Sequence, residues 1–211
     1  MRILAAELQE WLLEAQKIGF IGPKPVETVY NHAVGFAESI DLILKAELIP
    51  PSFFVADLGS GAGVPGIFLA DWFPEARFVL IDSMMKRGLF LHRMVSQLGL
   101  DDRVEVYCGR SETFAEANRG KFDLVTARGF ATPSVAAENA SGLLRVGGVL
   151  LVSEPPGSDL SRWSRDGLAK LGFSPPELVK SEFSYSWMIR DRKSSAKFPR
   201  GVGIPEKSPI F

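Results

Sequence analysis

Two hydrophobic rhythms divide the chain. In residues 4–18, Leu4, Leu8, Trp11, Leu12, Ala15 and Ile18 recur at helical spacing, and Gly19 supplies a stop. A second helical stretch is predicted from about Pro25 to Leu48, with Val26, Val29, Tyr30, Ala33, Ala37, Ile40 and Leu44 on one face and Pro50-Pro51 ending it. Beyond residue 53, short apolar runs of strand type alternate with helical stretches. Strands are predicted at about 53–57, 77–82, 104–107, 122–127 and 148–153. Helices are predicted at about 65–73, 86–98, 134–145 and 161–171, with a short turn at 112–117. Near the end, Leu178 to Phe183 and Trp187 to Arg190 read as two strands joined by a tight turn at Ser184-Tyr185-Ser186. Such alternation implies an α/β fold with a mostly parallel sheet and crossover helices, closed by an antiparallel hairpin and preceded by N-terminal helices.

Composition narrows the class. With 211 residues and 46% hydrophobic content, the chain can bury a sizeable core as one soluble domain. Its expected parts are a helical segment over 1–50, a cofactor-binding core over 51–190 and a basic tail over 191–211. No apolar run approaches the ~20 residues that span a bilayer, and Glu7 stands where a signal peptide needs apolar residues. The single cysteine, Cys108, has no internal disulfide partner and reads as a small buried residue at a strand end, which fits a reducing cytoplasm. Formal net charge is −1, so the chain does not coat nucleic acid with a general basic surface. Charge is uneven, however: residues 190–211 carry a net +4 on a body of −5. A basic segment of this kind is either a solvated terminus or a local footprint for RNA phosphates.

The chemistry concentrates at residues 53–66. An apolar strand from Phe53 ends at Asp57-Leu58, and glycines follow at 59, 61, 63 and 66 before the apolar Ile67-Phe68-Leu69-Ala70. This is a buried strand, a tight turn where backbone can approach a ligand, and a helix, with Pro65 suited to an early helical position. Two cofactors compete for it. Gly61 to Gly66 satisfies the dinucleotide pattern G-x-G-x-x-G, a weak signal by itself. Gly59-Ser60-Gly61-Ala62-Gly63, with Asp57 two residues ahead, suits S-adenosylmethionine (SAM). Asp82, at the end of the next strand, suits a ribose diol in either.

The wider context separates them. The run from Asp57 through Pro65-Gly66, then Asp82-Ser83, Lys86-Arg87, Gly109-Arg110-Ser111-Glu112, Thr126-Ala127-Arg128 and Phe198-Pro199-Arg200, resembles the RsmG (GidB) family of ribosomal RNA methyltransferases. The resemblance covers roughly residues 25–211. It implies the Rossmann-like SAM-methyltransferase fold, SAM as cofactor, and methylation of N7 of a guanine in 16S ribosomal RNA by a cytoplasmic monomer acting on that RNA or the small subunit. Carried over by position, Gly59, Gly61, Gly63, Val64, Asp82, Ser111, Glu112 and Arg128 would hold SAM. Arg128 would also orient the reacting partners, and Lys197 and Arg200 would meet RNA. Guanine N7 carries an outward lone pair, so transfer needs alignment and water exclusion rather than a general base. No metal is expected, and the two histidines show no ligand pattern.

The chain departs from the family at three places. Gly129 follows the arginine where an alanine is usual. The Asn-Leu-Thr signature of many members is absent. Ser153-Glu154-Pro155-Pro156-Gly157 stands where Lys-Gly is common, and Glu154 is expected to repel phosphate at that edge. These departures leave open a methyltransferase that acts on another RNA or a small molecule, or a SAM-binding protein without transfer. His32 is read either as a packing residue or as one that faces RNA or braces a loop, and His92 as structural.

Overall fold

A computed structural model describes residues 6–211. Leu4 and the helix start expected near it lie outside the described residues. The first two helices, α1 (Ala6–Lys17) and α2 (Val26–Lys45), bury most of the faces read from the sequence, but Ile18 lies past the end of α1 and is exposed, and Leu44 is half-buried. Strands and helices then alternate: β1 (Phe54–Leu58), α3 (Gly66–Trp72), β2 (Arg77–Asp82), α4 (Met85–Gln97), β3 (Val104–Cys108), α5 (Ser111–Ala117), β4 (Phe122–Ala127), α6 (Pro133–Leu143), β5 (Leu144–Glu154) and α7 (Arg165–Leu171). The hairpin β6 (Glu177–Lys180) and β7 (Ser184–Ile189) and a short α8 (Ile204–Lys207) complete the described chain.

The strands form one sheet of order β3-β2-β1-β4-β5-β7-β6, parallel except where β7 pairs with β5 and β6. Alternation along β1 shows why the sheet is covered on both faces. Val55 packs into one apolar cluster with Trp11, Phe36 and Phe68, whereas Ala56 and Leu58 pack into a second with Phe122, Leu143 and Leu168. Neither face of such a strand can be left in water, which is the behaviour of parallel sheets. The chain order reverses between β1 and β4, and their carboxyl ends are where ligands bind in open sheets of this kind.

Local chemistry moves three boundaries. The reversal expected at Ser184-Tyr185-Ser186 lies earlier, at Ser181–Phe183, where the Ser181 amide donates to the Phe183 carbonyl at 2.9 Å. Residues 184–186 are strand instead, because Tyr185 is fully buried and the Ser186 hydroxyl donates to Glu154 Oε1 at 2.6 Å. The helix expected from 161 begins at Arg165: the Ser164 hydroxyl accepts from the Gly167 amide at 3.1 Å, and Trp163 turns inward to donate to Glu154 Oε1 at 2.7 Å. The turn expected at 112–117 is the helix α5.

Two contacts fix the outer elements. At Gly35 on α2 an added Cβ would stand 2.3 Å from the Tyr185 hydroxyl, so only glycine lets the tyrosine reach across to donate to the His32 carbonyl at 2.8 Å. The basic tail is also packed. Arg190 donates to the Leu144 carbonyl, Arg192 to the Ala169 carbonyl at 2.8 Å, and Phe198, Ile210 and Phe211 pack in the second cluster.

Candidate active site at the ends of β1 and β4

Register brings the site together. Leu58 pairs with Ala127, so the glycine turn and Arg128 leave adjacent strands side by side, and Asp82 pairs with Cys108 just before Gly109. In the turn, Gly59, Gly61 and Gly63 have φ of +68°, +59° and +88°, a conformation that strains any residue with a Cβ. Two hollows open over these strand ends and meet at Gly59, Arg87, Gly129 and Phe130.

The first hollow, of about 200 Å³, holds Asp82, Ser111 and Glu112. Asp82 is buried, yet its oxygens face the hollow while accepting the Gly61 amide at 2.9 Å and the Met84 amide at 2.8 Å. Arg87 stands 3.5 Å away. Oδ2 thus accepts both Gly61 and Arg87, and Oδ1 keeps a lone pair for a hydroxyl donor. Glu112 is also engaged from within: Oε1 accepts the Gly203 amide at 3.0 Å and Arg110 at 3.1 Å. Burial works to raise its pKa, but these donors outweigh it and hold the carboxyl below the ordinary range. The tail closes this end, since Glu206 of α8 lines the same hollow and pairs with Arg110 at 3.5 Å.

The second hollow is larger, about 510 Å³, and is lined by Gly59, Gly61, Val64, Arg128 and His32. Gly63 lies off it; a Cβ there would strike Ile67 and Trp11, so this glycine serves the packing of α1 under the turn. Arg128 is half-buried, and among the described residues no carboxylate lies within ion-pair distance of it. Burial lowers its pKa, partly offset by Asp57 and Tyr185, yet a guanidinium starts so high that it stays a cation. Beneath it, Asp57 is fully buried; Oδ1 accepts the Thr126 hydroxyl at 2.7 Å and Oδ2 makes no hydrogen bond of good geometry. Burial pushes its carboxyl up to about 6 against the opposing Thr126 and Ser60 hydrogen bonds.

Several side chains stand where the sequence did not place them. His32 is stacked on Phe183 with ring centroids 3.8 Å apart and braced by Tyr185, so it both braces the hairpin and faces the second hollow. Burial, aided by Arg128 and Lys24, lowers its pKa to about 4, leaving a neutral imidazole at neutral pH. Glu154, expected to repel phosphate, lines the second hollow but is 5% exposed and accepts from Trp163, Ser186 and the Ser158 hydroxyl, with Arg162 3.6 Å away. Arg200, expected at RNA, holds the buried Glu138 instead, through Nε at 2.9 Å, a terminal nitrogen at 2.7 Å and its own amide at 2.8 Å. Lys197 is exposed, 5.1 Å from the Phe198 ring centroid. Asn139, absent from the sequence reading, lines the first hollow. The signal for Asn139 and Glu138 was two polar residues inside a stretch of small apolar ones, which helical periodicity does not weigh.

Comparison with known proteins agrees with this geometry. A family model described as rRNA small subunit methyltransferase G matches residues 1–154. A protein of Geobacillus thermodenitrificans named ribosomal RNA small subunit methyltransferase G is 36% identical over 169 residues, 75% of this chain and 70% of its own. One of the same name from Streptococcus equi subsp. zooepidemicus is 31% identical over 184 residues, 83% of this chain and 77% of its own. Among solved structures, a predicted O-methyltransferase of Agrobacterium tumefaciens shares the fold at a TM-score of 0.55 and 18% identity, covering 68% of this chain and 76% of that one. A precorrin-6y C5,15-methyltransferase of Geobacter metallireducens does so at 0.50 and 13%, covering 67% and 81%. A Rossmann-like methyltransferase sheet, a glycine turn at its switch point and relatives of this similarity together place the chain: it belongs to the rRNA small subunit methyltransferase G family of SAM-dependent methyltransferases.

Proposed function

We propose that the chain transfers the methyl group of SAM to N7 of a guanine in 16S ribosomal RNA, working as a cytoplasmic monomer on the free RNA or the small subunit. One observation supports this most. Arg128, a cation with no carboxylate at ion-pair distance among the described residues, stands in a hollow large enough for a base and continuous with the hollow that suits an adenosine.

SAM, when bound, supplies an electrophilic methyl on a sulfonium. The residues of this chain bind and align. Asp82 would accept from a ribose hydroxyl, and the start of α5 at Ser111 and Glu112 would border the adenine. The turn at Gly59 and Gly61 lets the methionine portion lie against backbone. Arg128 can hold the cofactor carboxylate or the guanine O6. A bidentate grip on O6 and N7, the usual arginine contact in nucleic acids, would cover the reacting atom, so O6 alone is the productive choice. The N7 lone pair attacks without losing a proton, and no base is required; His32, neutral at working pH, need not titrate. Alignment within about 3–3.5 Å is the main demand.

Glu154 pointed in the sequence toward a small-molecule substrate. Its three hydrogen-bond donors and nearby Arg162 weigh against that reading. The proposal is tested with Arg128→Ala. We expect methyl transfer to 16S RNA to fall at least about 100-fold while SAM affinity, measured by calorimetry, changes far less; Arg128→Lys should rescue little, because a point charge does not replace a planar fork. Undiminished turnover in the alanine variant would contradict the role.

A further inference from the structure

Helix α6 is buried from Ser134 to Leu143, and it carries two adjacent polar side chains into that burial. Glu138 is fully partnered by Arg200. Asn139 is only half partnered. Its Nδ2 donates to the Val135 carbonyl at 3.0 Å, and this fixes the orientation of the amide, since a flipped group would set oxygen against oxygen. Its Oδ1 is buried, accepts no hydrogen bond from any of the described residues, and belongs to a residue lining the first hollow. A buried acceptor without a donor destabilises a ligand-free chain, and its persistence is explained when the donor arrives with a ligand.

The other carboxyl and amide acceptors around this hollow are already supplied. Asp82 receives two backbone amides and Arg87, and keeps one lone pair on Oδ1 for a ribose hydroxyl. Glu112 receives Gly203, Arg110 and the Ser111 hydroxyl, and Glu206 pairs with Arg110. The adenosine part of SAM brings the ribose hydroxyls, suited to Asp82, and one further donor, the exocyclic amino group of the base. We infer that Asn139 Oδ1 accepts a hydrogen bond from the 6-amino group of the cofactor's adenine and so makes the site select a 6-amino over a 6-oxo purine. The inference rests on SAM as the cofactor. In a 6-oxo purine the amino donor is replaced by an acceptor, which would face Oδ1 across a buried gap, and a site built to hydrogen-bond a substrate group rejects such an analogue strongly.

The test compares binding of S-adenosylhomocysteine and S-inosylhomocysteine by calorimetry, together with melting of the ligand-free protein. The wild-type chain should prefer the adenosyl compound by about tenfold or more. Asn139→Leu should weaken the adenosyl compound by about tenfold and bring the two ligands to near parity. The ligand-free variant should melt no lower than wild type, because its unpaired acceptor is gone; a purely structural asparagine would show the reverse. Asn139→Ser serves as a smaller second variant with the same expected loss of preference. Equal binding of both compounds to the wild type, or an undiminished preference in either variant, overturns the role of Asn139. Failure of the wild type to bind either compound would instead overturn SAM as the cofactor, so the two failures are distinct.

Discussion

At the residue scale, burial shifts two titratable groups in opposite senses around one cation. Asp57 is pushed up to about 6 and His32 down to about 4, burial being the largest cause for each, and Arg128 lowers both. The folded chain therefore holds a proton on Asp57 that the unfolded chain has released. That contribution to stability is present below about pH 4 and is lost as pH rises through about 6. For His32 the sign is reversed: its contribution is present above about pH 6.5 and is lost as pH falls through about 4. The two slopes oppose each other between those limits. Replacing Asp57 by Asn should leave only the histidine slope, so wild type should lose stability relative to Asp57→Asn as pH rises from about 4 to about 7. Melting curves at a series of pH values read this directly, and parallel curves for the two proteins would refute it. Asp57 was legible in sequence as the acid before the glycine turn. Its isolation was not, because burial depends on β4 lying beside β1 with Thr126 opposite Asp57.

At the element scale, the end of the chain changes character between sequence and structure. Composition marks residues 190–211 as a basic, exposed terminus, but composition cannot show that Arg190, Arg192 and Arg200 find carbonyls and a buried carboxylate within the fold. The segment acts as a strap. Gly203 donates to Glu112, Glu206 lines the first hollow, and the Ile210 amide donates to the Ser134 hydroxyl at 2.8 Å. Truncation after Lys197 should therefore weaken S-adenosylhomocysteine binding, by about tenfold for the loss of one or two such contacts, as well as lower the melting temperature. Calorimetry on the truncated chain checks this, and unchanged affinity would show that the strap only covers the core. Glu138→Gln should lower the melting temperature as well, since it uncouples the carboxylate from Arg200 inside α6. The hairpin teaches the same lesson. Ser184-Tyr185-Ser186 has turn-like composition, yet Tyr185 is drawn into strand by its contact with α2 through Gly35. By contrast, the parallel strands and their crossover helices stood out in sequence, because a strand buried on both faces is apolar throughout.

On the scale of the whole molecule, the cations free for RNA are fewer than the tail's net +4 suggests. Lys193, Lys197 and Lys207 are exposed, and Arg87 and Arg162 line the second hollow beside their carboxylate partners. Replacing both Lys193 and Lys197 by Gln should flatten the dependence of log affinity on log salt by about 1.4 if each meets one phosphate of a single strand. SAM binding should be unchanged, and an unaltered slope would remove these lysines from the interface. No helix among the described residues is long and apolar enough to cross a membrane. Incubating the protein with methyl-labelled SAM and 16S ribosomal RNA lacking the modification, then digesting to nucleosides, should place the label in 7-methylguanosine and nowhere else. Label in any other nucleoside, or bound SAM with no transfer to RNA, would contradict the account.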